Sequence, residues 1–325
     1  MKTIKNFNDI VNEYILEKRS LGFKYIKEAR TLYHIVALQK EHDKGAPMLS
    51  KKMVFAWIEK TPWENEANRN QRISVIRCLG KYMIRMNYNA YVIPDRFAPV
   101  QYYRYIPYIF SDNDLGALIT NADIFSKKTL SPHASLVFPL LFRILIGCGL
   151  RITEALNIFK NDVDLKKGTL LLLNTKNKKE RIVPVADSLC ENCRKYLFEI
   201  QFLKNANKSK YFFPNPQGTS YTADTAYANF RKILWLAGIS HGGRGKGPRL
   251  HDLRHTFAVN VLKKWVLEGK NLTTALPYLS FYMGHVGLKA TQHYLKLTSD
   301  MFPDLIKSTE DSFDWIIPEV DRERD

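Results

Sequence analysis

The chain has 325 residues, 45% of them hydrophobic and 25% charged, and a formal net charge of +17 from 49 Lys and Arg against 32 Asp and Glu. That length holds two domains with sizeable cores, and so basic a balance favours a polyanionic partner, either nucleic acid or an anionic membrane surface. Four cysteines, Cys78, Cys148, Cys190 and Cys193, are too few for a disulfide framework, and the longest apolar stretch, Leu136 to Leu150, is broken by Pro139, Arg143 and two glycines, which excludes a bilayer span.

The opening M-K-T-I-K-N-F-N has no apolar core of signal-peptide length, so a cytoplasmic protein without a membrane partner is expected. Residues 1–92 read as a helical domain. Phe7, Ile10, Val11, Tyr14 and Ile15 keep an i, i+3, i+4, i+7 rhythm, and Leu32, Ile35, Val36 and Leu38 continue it. A short helix from Lys51 to Lys60 ends before Pro62. A longer one from Asn68 to Met86 puts Ile73, Ile76, Leu79, Tyr82 and Met83 on one side. Arg69, Arg72, Arg77, Lys81 and Arg85 fall on the other. A charged helix face is ordinarily only a solvated face. Here the charges are nearly all positive, which makes Arg69, Arg72 and Arg77 candidate phosphate contacts.

From Ile93 to Tyr108 the periodicity stops. Pro94, Pro99, Pro107 and the run Q-Y-Y-R-Y-I-P-Y mark a linker over 93–108, in which Arg104 and the flanking tyrosines can follow a sugar-phosphate backbone or pack on one domain. Ser111-Asp112 reads as a helix cap opening a second domain, 109–309. An apolar helix from Ser131 to Cys148 should break at Gly147 and Gly149. Gly168 to Asn174 and Arg181 to Val185 read as paired strands joined by the turn T-K-N-K-K-E. Helices are expected at about 187–203, 221–237, 250–268, 272–284 and 288–295. The fold class is therefore mainly α, with a small antiparallel β-sheet in the C-terminal domain. Residues 1–105 carry +9, residues 106–309 carry +13 and the tail 310–325 carries −5. Two basic segments and an acidic tail suit a two-domain clamp around duplex DNA.

Six residues of the second domain suit one chemistry. They are Arg151 in G-L-R-I-T-E-A-L, Lys176 in T-K-N-K-K-E-R, His251 and Arg254 in H-D-L-R-H, His285 in M-G-H and Tyr294 in T-Q-H-Y. Phosphoryl transfer without a metal needs fixed positive charge around the non-bridging oxygens. Arginine, permanently charged and able to fork onto two oxygens, suits that role. Each residue also has a plainer reading. Arg151 can pair with Glu154, and Lys176 can be a solvated hairpin charge, as can Lys178, Lys179 and Arg181. His285 can cap a helix, and Tyr294 can simply pack. H-D-L-R-H outlines a zincin helix with Asp252 for the base, but the side chain is one methylene short and Arg254 would sit beside the metal. The lone pair Cys190-x-x-Cys193 lacks a second pair for zinc. G-G-R-G-K-G, from Gly242 to Gly247, lacks the hydroxyl residue of a phosphate-binding loop. Its Arg244 and Lys246 read instead as DNA contacts.

Taken in order, these blocks resemble the tyrosine recombinase (phage integrase) family, strongly over residues 110–300 and by helix count alone over residues 5–95. The resemblance implies that Tyr294 is the nucleophile, forming a 3′-phosphotyrosyl bond. It also implies that Arg151 and Arg254 hold the scissile phosphate and that Lys176 protonates the leaving 5′-oxygen. His251 and His285 position the phosphate and manage the tyrosine proton, while Glu154 and His255 match positions that look structural. No cofactor is implied. The partners implied are double-stranded DNA and further copies of the chain, as a tetramer on DNA. Met301, Phe302, Leu305 and Ile306 suggest an amphipathic helix that docks in a neighbour or on its own domain. About 105 residues precede the catalytic segment, room for one DNA-gripping domain, which leans towards a Xer-like or transposon-borne recombinase. The expected activity is site-specific recombination: integration, excision or resolution of a mobile element or replicon. The alternatives are type IB topoisomerase-like relaxation and a non-catalytic DNA-binding protein on the same fold.

Overall fold

The computed structural model describes residues 5–95, 97, 106–128, 131–173, 180–243, 247–285, 287–288, 291–292 and 294–295. Arg104, Lys176, Arg244, Lys246, the segment with Met301 to Ile306 and the tail 310–325 lie outside these residues. The chain divides into two units, Met1–Tyr105 and Ile106–Asp325.

The first unit runs α1 (Phe7–Ser20), α2 (Ile26–Asp43), β1 (Met48–Leu49), α3 (Lys51–Ile58), α4 (Glu66–Arg85) and β2 (Asn89–Ala90). The helical rhythm of α1 is its buried face. Phe7, Ile10, Val11, Tyr14 and Ile15 enter one core with Leu32, Ile35, Met53, Ile76, Leu79 and Met83. α1 begins at a reciprocal cap: the Asp9 N–H donates to Asn6 Oδ1 (3.0 Å) and the Asn6 N–H donates to Asp9 Oδ2 (3.1 Å). β1 and β2 pair in parallel, Met48 opposite Asn89 and Leu49 opposite Ala90, so the ends of the α3–α4 hairpin meet. The α4 arginines expected to face phosphate have partners inside this unit. Arg69 Nε donates to the Ile58 carbonyl (3.0 Å), Arg72 to the Trp57 and Glu59 carbonyls, and Arg77 to the Ile93 (3.0 Å) and Pro94 (2.8 Å) carbonyls. Arg72 also pairs with Glu64. Arg69 and Arg72 thus satisfy main-chain acceptors at the open end of α3, which a helix leaves without internal donors.

The second unit continues with α5 (Asp112–Lys128), α6 (Pro132–Cys148), α7 (Ile152–Leu156) and a 3-10 turn at Lys160–Asp162. Then come β3 (Val163–Asp164), β4 (Thr169–Leu172), β5 (Arg181–Pro184), α8 (Asp187–Ile200), α9 (Ala223–Leu236), α10 (Asp252–Leu267) and α11 (Leu272–Tyr282). The Ser111 hydroxyl caps α5, accepting the Asp114 N–H (3.1 Å) while Asp114 accepts the Ser111 N–H (3.0 Å). α6 is apolar nearly all round because it is enclosed: α5, α8 and α10 pack against it, and Phe138, Leu141, Phe142 and Ile144 are fully buried. It continues through Gly147, where a break was expected, and ends at Gly149. The sheet is antiparallel in the order β3-β4-β5, with Leu170 opposite Val183 and Leu172 opposite Arg181. β3 had no expectation from sequence, and α7 is the short helix expected to start just after Arg151. Among the described residues no helix is long and apolar enough to cross a membrane.

Candidate active site

The end of α6 and the start of α10 build the site. Gly149 adopts φ +60°, the left-handed cap that stops α6, and its N–H donates to the Leu145 carbonyl (3.0 Å). A Cβ there would lie 2.3 Å from Phe257 Cδ1, so only glycine lets α10 come this close. That approach delivers the Gly149 carbonyl to Arg254 Nη1 at 2.8 Å. Arg254 is 1% exposed. Its Nη2 donates to the Met283 carbonyl and to His285 Nε2 (3.3 Å), joining the end of α11 to the same guanidinium.

Arg151 stands two residues past Gly149 as the N-cap of α7. Its main-chain N–H donates to Glu154 Oε2 (3.0 Å), its Nη1 to Glu154 Oε1 (2.7 Å) and its Nη2 to the Gly284 carbonyl (3.0 Å). The predicted Arg151–Glu154 pair is therefore present, inside a larger cluster. Arg181 forks onto the same carboxylate (Nη1–Oε1 3.1 Å, Nη2–Oε2 2.8 Å), and Arg254 Nη1 lies 3.9 Å from Glu154 Oε2. Three guanidinium groups against one buried carboxylate leave a cationic surplus in a desolvated pocket, the condition for holding an anion.

Tyr294 joins this cluster in the same chain. It is 3% exposed, and its hydroxyl shares a hydrogen bond with Arg254. Its ring lies 5.4 Å from that of His255 and stacks on His285 at 6.0 Å and 23°. His251 lies at the start of α10, with its ring edge-on to His255 at 4.8 Å. His285 Nδ1 meets Thr291 Oγ1 at 2.8 Å, three residues before Tyr294. Arginine only donates, so His285 Nε2 accepts from Arg254, and in the neutral ring Nδ1 then carries the proton and donates to Thr291. Of the six residues expected to form a site, the structure brings together Arg151, His251, Arg254, His285 and Tyr294; Lys176 lies outside the described residues.

The electrostatics follow from burial and the arginines. Burial alone would raise the Glu154 carboxyl. The Arg181 fork and the hydrogen bonds from Arg151 overcome it and hold the group at about 2. Burial, reinforced by Arg254 and Arg151, lowers both His251 and His285 to about 4, so both imidazoles are neutral near pH 7. Burial raises the Tyr294 phenol above its ordinary value, and Arg254 and Arg151 offset only part of that rise. Arg254 itself is lowered to about 10, first by burial and then by Arg151. Among the described residues no group of three or more His, Cys, Asp or Glu suits a metal ion. Asp252, the zincin-like position, accepts the Arg249 N–H (2.8 Å) in the turn that leads into α10.

Two members of the cluster were not expected from sequence. Arg181 was grouped with the hairpin lysines, yet it is buried. The signal for it was available: Arg181 and Val183 share the inward face of β5, since side chains alternate along a strand. Thr291 is fully buried and had no signal, because a hydroxyl on a short terminal helix has many uses.

A family profile described as the phage integrase family matches residues 111–300. An integrase/recombinase of Sinorhizobium fredii, y4rB, is 28% identical over 309 residues, covering 94% of this chain and 98% of its own. The tyrosine recombinase XerD of Oceanobacillus iheyensis is 26% identical over 285 residues, covering 86% and 89%. Among solved structures the fold is similar to a lambda integrase fragment seen as a dimer bound to a COC′ core site. There the TM-score is 0.60 at 14% identity, covering 89% of this chain and 95% of that one.

Proposed function

The chain belongs to the phage integrase family of tyrosine recombinases, and from that membership we propose that it cuts and rejoins DNA at specific sites through a 3′-phosphotyrosyl bond to Tyr294. The observation that carries this reading is the hydrogen bond between the Tyr294 hydroxyl and Arg254, at the centre of a buried cationic cluster. A phenol with an ordinary pKa of about 10 attacks readily only beside a base or fixed positive charge. Arg254 and Arg151 supply that charge and face the non-bridging oxygens as they gain electron density. The phenol oxygen bonds to phosphorus as the P–O5′ bond breaks. The phenol proton passes to the neutral imidazole of His251, while His285, held by Arg254 and Thr291, positions the phosphate, and Lys176 gives a proton to the leaving 5′-oxygen. General acid–base help of this kind contributes roughly 10²–10⁴-fold in rate. The new ester keeps the energy of the broken one, so a second 5′-hydroxyl can reverse the step on another strand without ATP.

On this reading residues 1–92 grip one side of the duplex, 93–108 link, and 109–309 carry the chemistry. Strand exchange needs two duplexes, and therefore several copies of the chain assembled on DNA as a tetramer. Integration, excision and resolution all use this one reaction. The test is to purify the chain from its source cells under denaturing conditions and sequence any DNA that remains covalently attached. The wild-type chain should retain DNA cut at a defined position, and Tyr294→Phe should bind DNA yet retain none. Adducts that survive in Tyr294→Phe would remove Tyr294 as the nucleophile.

A further inference from the structure

We propose that Arg181 is a positioning residue: by neutralising Glu154 it leaves the charges of Arg151 and Arg254 available to a DNA phosphate. The proposal rests on the strand-cutting reading above and extends it to a side chain whose terminal nitrogens meet Glu154.

Access comes first. The Arg181 side chain is 4% exposed, and unlike the equally buried Arg254, which reaches the Tyr294 hydroxyl, it turns both terminal nitrogens away onto Glu154. Its two terminal nitrogens instead meet both oxygens of Glu154 in a parallel fork. That geometry is available to a planar guanidinium and not to an ammonium. The strand fixes it: Arg181 pairs with Leu172 at the first rung of β4–β5, so its Cα is held by the sheet.

Charge comes second. Without Arg181, the Glu154 carboxylate would be buried with only Arg151 at 2.7 Å and Arg254 at 3.9 Å to compensate it. A buried carboxylate left with one oxygen lacking a close cation draws in the nearest one. Arg254 would leave the Gly149 and Met283 carbonyls, and the hydroxyl of Tyr294 with them. Arg151 would turn both donors inward, off the Gly284 carbonyl.

The turn after α11 is the third point of contact. Gly284 has φ +62°, and a Cβ on it would lie 2.9 Å from Arg181 Nη1 and 3.5 Å from Arg151 Nη1. The backbone carrying the Met283 and Gly284 carbonyls and His285 therefore lies directly on these two guanidinium groups. Arg181 supports the floor of the site from below while holding Glu154 from the side.

Inorganic phosphate is the probe for the test, with binding read locally at the His285 imidazole by nitrogen NMR so that phosphate bound elsewhere does not count. In folded Arg181→Met, phosphate affinity at His285 should fall about tenfold or more, equivalent to about 1.4 kcal/mol. Arg181→Lys should show a smaller loss. Adding Glu154→Gln to Arg181→Met removes the charge that needed neutralising and should restore affinity to within about threefold of wild type. A merely structural ion pair would lower the unfolding midpoint without changing phosphate affinity in the folded protein. Wild-type affinity in folded Arg181→Met, or no recovery in the double variant, overturns the proposal. If Arg181→Met does not fold, wild-type affinity in Arg181→Lys overturns it. The covalent adduct at Tyr294 is scored separately: its absence from the wild-type chain sinks the strand-cutting reading, whereas equal adduct rates in wild type and Arg181→Met sink this inference alone.

Discussion

His285 shows how one side chain takes its state from two partners and from burial. Arg254 donates to its Nε2, Thr291 receives its Nδ1 proton, and burial among guanidinium groups lowers its pKa to about 4. A bound phosphate adds negative charge beside the arginines and should raise that value. Titration of the His285 imidazole by NMR should therefore give an apparent pKa near 4 in the free chain and a higher one with phosphate present. Thr291→Val removes the acceptor that fixes the tautomer and should cost about tenfold or more in adduct formation, with Thr291→Ser close to wild type. The two lowered histidines also set a pH dependence of stability. Their folded pKa values of about 4 lie below the ordinary 6.5. The unfolded chain therefore binds more protons between these values, and stability must fall as pH drops through that window. A thermal unfolding midpoint for residues 106–325 that stays flat from pH 6.5 to pH 4 would contradict the buried, neutral state. At this scale the sequence disclosed residue types and order, and the blocks around Arg151, His251, Arg254, His285 and Tyr294 were legible. Arg181 was legible only as charge, because a lysine-rich turn beside it hid the strand alternation that buries it.

Among the elements, α6 and α10 decide the geometry. Their close approach depends on Gly149, which meets two demands at once: a left-handed backbone and room for the Phe257 ring. Gly149→Ala should destabilise the second unit by roughly 2–4 kcal/mol, adding backbone strain to overpacking. Adding Phe257→Leu should recover part of the overpacking loss and none of the strain; full recovery in a denaturant titration would show that the ring alone set the requirement. Long periodic helices such as α1, α4 and α8 were visible in sequence because their buried faces repeat over several turns. The short strands β1, β2 and β3 were not, since two residues show no repeating pattern. The expected break at Gly147 failed for a physical reason: burial between neighbouring helices outweighs the roughly 1 kcal/mol that glycine costs inside a helix.

At the scale of the whole molecule, the charge of +17 was legible at once and favours a polyanion. Where that charge acts was less so, because Arg69, Arg72 and Arg77 also brace the main chain of their own unit. Their replacement should therefore lower the unfolding midpoint of residues 1–105 as well as weaken DNA binding. Binding to the recovered target should fall steeply with salt. With six to ten phosphate contacts the loss is about 10³–10⁵-fold between roughly 50 and 200 mM. A shallow dependence would mean that few of these cations reach the duplex. A chain that relaxes supercoiled plasmid but never joins two target-bearing fragments would be a topoisomerase in practice, and a gel that resolves joined from single fragments distinguishes them.

Arg254 is held at its inner side by the carbonyls of Gly149 and Met283, atoms every amino acid possesses. No point mutation deletes a carbonyl. The anchorage of this guanidinium is therefore independent of the side chain at residue 283, which is itself fully buried and answers only to core packing. Saturation mutagenesis should return tolerance of apolar residues of similar volume at Met283 beside intolerance of every replacement at Arg254.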